Sequence, residues 1–167
     1  FAIDKFGNNS QIILTGISMG ASTVLMASGE NLPENVRCVV ADCPFSSPRE
    51  IIQTVMHNLK LPVKLLYPLA KLSAQIYGDF NLEEISTIEA VKKSKIPILF
   101  IHGDDDRFVP CYMGQACYDS CASEKQIFLV KGAGHGLSHC VDAKGYADTV
   151  NCFLDKVFLE KRFPELN

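Results

Sequence analysis

Three kinds of side chain that together can do nucleophilic chemistry stand along this chain, each in a local setting that would expose it. Ser18 lies in Gly16-Ile17-Ser18-Met19-Gly20. His135 lies in Gly132-Ala133-Gly134-His135-Gly136, and Asp104, Asp105 and Asp106 form an acidic run. A serine hydroxyl is a weak nucleophile unless a strained turn presents it beside a base. A histidine can be that base, and a carboxylate can orient the ring and stabilise its imidazolium form. The chemistry on offer is acyl transfer. Ser18 would attack a carbonyl, His135 would move the proton and Asp106 would hold the ring. The Met19 N–H, at the start of a helix, would face the developing oxyanion.

Each of these signals also has a plainer reading. G-x-S-x-G can be a tight strand–helix turn in any α/β protein. The aspartates can be a solvated turn or a divalent-cation site, although three consecutive Asp side chains point in different directions and no bidentate partner is suitably spaced. His135 and His139 form H-x-x-x-H, which can hold a metal on a helix, but this segment is rich in glycine and has no Glu between them. A G-x-G-x-x-G fingerprint starting at Gly16 would need glycines where Ser18 and Ala21 stand, and there is no Walker A sequence. Neither a metal nor an organic cofactor is expected.

These residues need a scaffold, and the hydrophobic pattern supplies one. Residues 11–14, 36–41, 98–101 and 126–130 are short, nearly continuous apolar runs, as expected of strands covered on both faces. Helical patterns follow at 21–28, 110–121 and 141–159. Strand–helix alternation with short loops predicts an α/β fold, a parallel sheet with helices on both faces. Ser18 then follows the first strand, Asp106 the third and His135 the fourth, at the strand ends where such sheets build their sites. Residues 44–95 are too long for a simple crossover. Their apolar residues repeat at helical spacing, with breaks expected at Pro62 and Pro68, so they read as two or three short helices inserted above the sheet. Residues 88–93 then lead helically into the third strand.

The chain has 167 residues, 47% of them hydrophobic and 21% charged, with net charge −3, which suits one globular domain and excludes a disordered chain. A weakly acidic chain without a Lys/Arg block has no electrostatic footprint for nucleic acid. No apolar run is long enough for a membrane segment or signal peptide. Seven cysteines without a CxxC pair fit small buried hydrophobes in a reducing, cytoplasmic setting. A disulfide among Cys111, Cys117, Cys121 and Cys140 is the alternative.

At these residues the sequence resembles the α/β-hydrolase superfamily, in its serine esterase/peptidase-like branch of BEM46 and prolyl-oligopeptidase type. The matching stretches are Thr15 through Ala21, Ala41-Asp42-Cys43-Pro44-Phe45, Ile96 through Gly103 with Val109-Pro110, and Gly132 through His135. The order Ser, acid, His is that of these hydrolases. The resemblance implies Ser18 as nucleophile, Asp106 as the acid (the last of its run) and His135 as base, with Asp42, after the second strand, as a rival acid because some family members use one there. It also implies a truncated sheet: the four strands match the family's fifth to eighth. Residues 1–167 would then be a partial domain carrying a lid-like insertion at 44–95. The chain begins at Phe1 in what reads as a helix, as expected of the C-terminal part of a larger hydrolase. The second oxyanion donor, from a loop after the family's third strand, has no counterpart here. The edge at Ile12, Ile13 and Leu14 would be left open, to be covered by a second copy in a homodimer or by a preceding segment.

The expected function is hydrolysis of a carboxylic ester, thioester or amide with an apolar part, through an acyl-enzyme. The alternative is a catalytically weak or inactive fragment serving as a binding or scaffold module.

Overall fold

The computed structural model describes residues 1–159. The four apolar runs form parallel strands β1 (Ile12–Ile17), β2 (Val36–Asp42), β3 (Ile98–Gly103) and β4 (Lys125–Val130), lying side by side in that order. Parallel neighbours need crossover connections, and helices provide them. α1 (Ala2–Phe6) precedes β1, and α2 (Met19–Ser28) links β1 to β2. α3 (Pro48–Asn58), α4 (Val63–Gly78) and α5 (Thr87–Val91) lie between β2 and β3. α6 (Cys111–Ser120) joins β3 to β4, and α7 (Ser138–Val141) and α8 (Ala143–Leu159) follow.

Two cores hold the layers together. On one face Leu25 of α2, Val91 of α5 and Cys117 of α6 pack on Val39, Ala41, Ile98 and Phe100. On the other, Phe153 and Val157 of α8 cover Cys38, Val40, Leu99 and Ile101. Covered on both faces, β2 and β3 carry the nearly continuous apolar sequence expected of them, with Arg37 the polar residue inside β2 and Asp42 and His102 toward the strand ends. β1 departs from that expectation. Its burial alternates, with Leu14 packed toward α2 while Ile13 and Ile17 are exposed on the side where α8 lies over the other strands. β1 pairs with β2 alone, and among the described residues no strand lies on its other edge.

The inserted helices start and stop for local reasons. Ser47 caps α3 by accepting from Glu50 N–H at 3.2 Å, with Pro48 in the first helical turn, and Ser86 caps α5 by accepting from Glu89 N–H at 3.3 Å. The break expected at Pro68 does not occur, since α4 runs through it. Proline removes one hydrogen bond to the Lys64 carbonyl, and both residues are exposed, so water can replace it. The helix expected over 141–159 is divided, because the Asp142 carboxylate accepts from Gly145 N–H at 2.8 Å and opens α8 as a separate helix.

All seven cysteines are free thiols, with Cys38, Cys43, Cys117 and Cys121 buried as small hydrophobes while Cys140 and Cys152 are exposed. No helix among the described residues is long and apolar enough to cross a membrane.

Candidate active site

The strand register brings four loops to one edge of the sheet. Ile17 stands opposite Asp42, Asp42 opposite Ile101, and Gly103 opposite Val130, so the chain leaves every strand at nearly the same level. Ser18 N–H donates to the Asp42 carbonyl and Cys43 N–H to the Ile101 carbonyl, both at 2.8 Å, which extends the ladder past the strand ends.

Ser18 occupies a backbone conformation that L-residues avoid, φ 56° and ψ −117°, between β1 and α2. Gly16 makes this turn possible. A Cβ on Gly16 would lie 2.3 Å from the Gly20 carbonyl carbon, so strand and helix meet there backbone to backbone. Gly20 is different, because a Cβ built on it meets nothing within 4 Å. Met19, Gly20 and Ala21 open α2, where N–H groups have no acceptor within the helix. The Met19 N–H sits immediately after the Ser18 hydroxyl.

The acid and histidine loops are tied to each other. Asp104 N–H donates to the Val130 carbonyl and Asp105 N–H to the Ala133 carbonyl, each at 3.1 Å, while the Asp104 carboxylate accepts from Gly132 N–H at 2.6 Å. A Cβ at Gly103 would come within 2.2 Å of the Ala133 oxygen, so glycine is required for the approach. Gly132 and Gly136, at φ 74° and 65°, turn the histidine loop back over β1.

The result is a continuous line of side chains. His135 Nε2 is 2.9 Å from Ser18 Oγ, and His135 Nδ1 is 2.7 Å from Asp106 Oδ2. With Nδ1–H donating to the carboxylate, Nε2 is left to accept from the serine hydroxyl. Asp106 Oδ1 accepts from Phe108 N–H at 2.9 Å and Val109 N–H at 2.8 Å. Burial alone would raise the Asp106 pKa. The His102 ring 3.5 Å away and the hydrogen bonds from His135 and these two amides outweigh it and hold the carboxyl below its ordinary range.

The other candidates are engaged elsewhere. Asp42, the rival acid, is buried beneath the site, where its carboxylate accepts from Ser138 Oγ at 3.1 Å and from the Tyr146 hydroxyl. Burial raises its pKa, only partly offset by those bonds and by His102 and His135. Asp105 pairs with Arg107 at the surface, and His139 packs edge-on against the Tyr146 ring.

Three residues at the site carried no earlier signal of a role. His102 lies buried behind Asp106, Phe108 packs its ring 5.0 Å from that of His135, and Cys43, at φ 48°, is buried with its thiol close to the His135 and Asp106 side chains. The Cys43 thiol is pushed up to about 12, mainly by burial. The ligand atoms of Cys43, Asp106 and His135 lie within 4.8 Å of one another. An ion there would have to displace the hydrogen bond between His135 and Asp106 and ionise a thiol that burial keeps protonated.

Ser18 and Met19 open onto a cavity of about 680 Å³ lined by Phe45, Ile52, Met56, Leu82, Ile85 and Phe108 among others. Apart from Ser18 and Thr23 its walls are apolar, and α3 forms one whole side. Such a space suits the apolar part of a small ligand.

Comparison with known proteins agrees with this architecture. The chain is 27% identical over 155 residues to the uncharacterised YqkD of Bacillus subtilis (strain 168), covering 92% of this chain and 51% of that protein. It is 25% identical over 128 residues to the uncharacterised YfhR of Escherichia coli O157:H7, covering 77% of this chain and 39% of that one. The chain thus spans about half the length, or less, of these relatives. Among solved structures, the esterase PF2001 of Pyrococcus furiosus superposes with TM-score 0.68 at 21% identity, over 93% of this chain and 57% of that one. An acylaminoacyl peptidase of Pyrococcus horikoshii superposes with TM-score 0.66 at 20% identity, over 93% and 26%. At such identities the likeness establishes the α/β-hydrolase fold. Residues 1–160 match the prolyl oligopeptidase family, and with that match across nearly the whole chain, the protein belongs to that family of α/β-hydrolases.

Proposed function

We propose that this chain carries the reacting groups of a serine hydrolase that cleaves carboxylic esters, and thioesters or amides of similar shape, with an apolar acyl part. The observation that carries this reading is the line Ser18 Oγ–His135 Nε2–His135 Nδ1–Asp106 Oδ2, at 2.9 and 2.7 Å, opening onto an apolar cavity. In the proposed cycle Ser18 Oγ attacks the carbonyl carbon while His135 Nε2 takes the hydroxyl proton. Asp106 stabilises the resulting imidazolium, and the Met19 N–H binds the oxyanion. The tetrahedral intermediate collapses to an acyl-serine as His135 protonates the leaving alkoxide, thiolate or amine. Water, deprotonated by the same ring, then releases the acid and restores Ser18. The esterase among the structural neighbours and the apolar cavity favour esters as the first substrates to try.

The test compares wild type with Ser18→Ala on p-nitrophenyl butyrate and on a fluorophosphonate probe. The expected result is labelling of the wild type alone and a rate loss of about 10³-fold or more in the variant. Equal rates would overturn the reading. The weaker-module alternative draws support from the four-stranded sheet of the described residues, which has no strand from whose following loop a second oxyanion donor would come, since one missing donor costs about 10²–10³ in rate. Labelling at Ser18 without measurable turnover would be its signature.

A further inference from the structure

The α3–α4 hairpin presents an apolar surface that the fold itself does not use. On α4, Leu65, Leu69, Leu72 and Ile76 fall within an arc of about 60° at helical spacing. They are 66%, 57%, 51% and 64% exposed, while Tyr67, on another face of the same helix, is buried. The row begins at the rim of the cavity, because Leu59 and Leu61 in the preceding turn are both exposed and cavity-lining. Single exposed leucines are ordinary, but a contiguous row marks a surface that something covers.

Charge says what kind of surface would cover it. Residues 51–78 contain Lys60, Lys64 and Lys71 and no Asp or Glu, in a chain whose net charge is −3. Lys71 pairs with Glu83. Lys60 and Lys64 make no ion pair among the described residues, and they flank Leu61 and Leu65 where the hairpin turns. A second copy docked on this face by a two-fold axis would bring like charges together. An anionic lipid surface accepts both features, taking leucines at the boundary between headgroups and acyl chains and lysines against phosphate.

We propose that the α3–α4 hairpin is a peripheral docking surface for anionic bilayers, seating Leu65, Leu69, Leu72 and Ile76 at the interface with Lys60 and Lys64 on the lipid phosphates. Docked in this way, the hairpin turns the rim formed by Leu59 and Leu61 toward the bilayer, so that acyl esters held there have a short apolar path to Ser18. The docking stands apart from catalysis, and only this delivery of substrate rests on the hydrolase reading.

The experiment is co-sedimentation with vesicles of equimolar phosphatidylcholine and phosphatidylglycerol, and with phosphatidylcholine alone. It uses the wild type, Ser18→Ala, Lys60→Ala/Lys64→Ala and Leu65→Ser/Leu69→Ser/Leu72→Ser, each checked for fold by circular dichroism. Wild type and Ser18→Ala are expected to bind the anionic vesicles alike. Each lysine removed should weaken binding about fivefold at low salt. The triple serine variant should stay in the supernatant yet hydrolyse soluble p-nitrophenyl butyrate at the wild-type rate, because its three positions do not line the cavity. Vesicle binding with this pattern but without esterase activity in any variant would sink the hydrolase reading and leave the docking standing. Wild type that ignores anionic vesicles, a triple variant that still binds them, or a wild-type dimer that the triple variant dissociates would each overturn the proposal.

Discussion

His102 braces Asp106 from behind: its Nε2 donates to the Val109 carbonyl at 2.9 Å and lies 3.5 Å from Asp106 Oδ2. The buried ring therefore holds the turn from Asp106 to Val109 at both ends, and with it the carboxylate that meets His135. Removing the ring by His102→Ala leaves the Val109 carbonyl without a donor, at a cost of about 1–3 kcal/mol. It also removes one of the interactions that depress the Asp106 pKa. A depressed carboxyl contributes stability that is complete above its unfolded pKa, near 3.9, and is lost as pH falls through the folded value. Urea midpoints should therefore show a wider gap between wild type and variant at neutral pH than at about pH 2. A gap that does not change with pH would mean that His102 acts through packing alone.

The two glycines that flank the Ser18 turn, Gly16 and Gly20, should behave differently. Gly16→Ala drives a Cβ into the Gly20 backbone at 2.3 Å, where nothing flexible can give way. Overpacking of this kind costs about 1–3 kcal/mol and would move Ser18 away from His135. Gly20→Ala meets open space in a helix, where alanine is favoured by up to about 1 kcal/mol. Fluorophosphonate labelling should be lost in the first variant and kept in the second. Equal sensitivity at both positions would show that small residues are needed on both sides of the turn, as the motif alone suggests.

What could be read from the sequence followed from local rules. Strand–turn–helix around Ser18, the Asp run after β3 and the glycine-bracketed His135 are contiguous patterns, so their places at strand ends were legible. The partners of those residues were not, because they arise from register. Nothing near Cys43 signals that its thiol lies close to His135 and Asp106, and nothing near His102 signals that its ring reaches Val109 and Asp106. The exposure of Ile13 and Ile17 was hidden too. An apolar run reads the same whether a helix covers both faces of the strand or only one. Pro68 misled because proline breaks a helix only where the lost hydrogen bond cannot be replaced, and exposure is not written in the local sequence. The capping pairs Ser47–Glu50 and Ser86–Glu89 were present in the residues and would have fixed both helix starts.

Asp42 and Asp106 should respond to acid with opposite signs. Burial raises the Asp42 pKa, so its ionised form is held at a cost that disappears as pH falls through the raised value. Asp106 contributes stability that disappears as pH falls through its depressed value. Asp42→Asn keeps an oxygen to accept from Ser138 and removes the buried charge, so at pH 7 it should cost less than about 1 kcal/mol or stabilise. Asp106→Asn should destabilise at pH 7 and, with the ring no longer held in its tautomer, lower esterase activity by about 10⁴. Matching losses in denaturation and ester hydrolysis for the two variants would show that they share one role.

The cavity wall should set acyl-chain length. Ile52, on α3, lines the same cavity as Ser18. Ile52→Trp fills part of it, and each methylene that no longer fits is worth about tenfold or more in kcat/KM. p-Nitrophenyl octanoate should therefore lose far more than the acetate. Equal losses on both esters would place the acyl chain outside this cavity.

The outer edge of β1 carries unpaired backbone groups in a strand, Ile12–Ile17, that has neither a charge nor a proline. Ile13 and Ile17 add exposed apolar surface on the adjoining face. Strands of this kind recruit a further strand unless a charge or a bend protects them. We propose that a second copy supplies it when this chain is studied by itself, and that the wild type self-associates with rising concentration in analytical ultracentrifugation. Ile13→Lys/Ile17→Lys places two cations on the strand, a substitution that natural edge strands use to stay single, and should shift the population to monomer without changing helix content. A wild type that sediments as a monomer at every concentration would remove the need for a partner on β1.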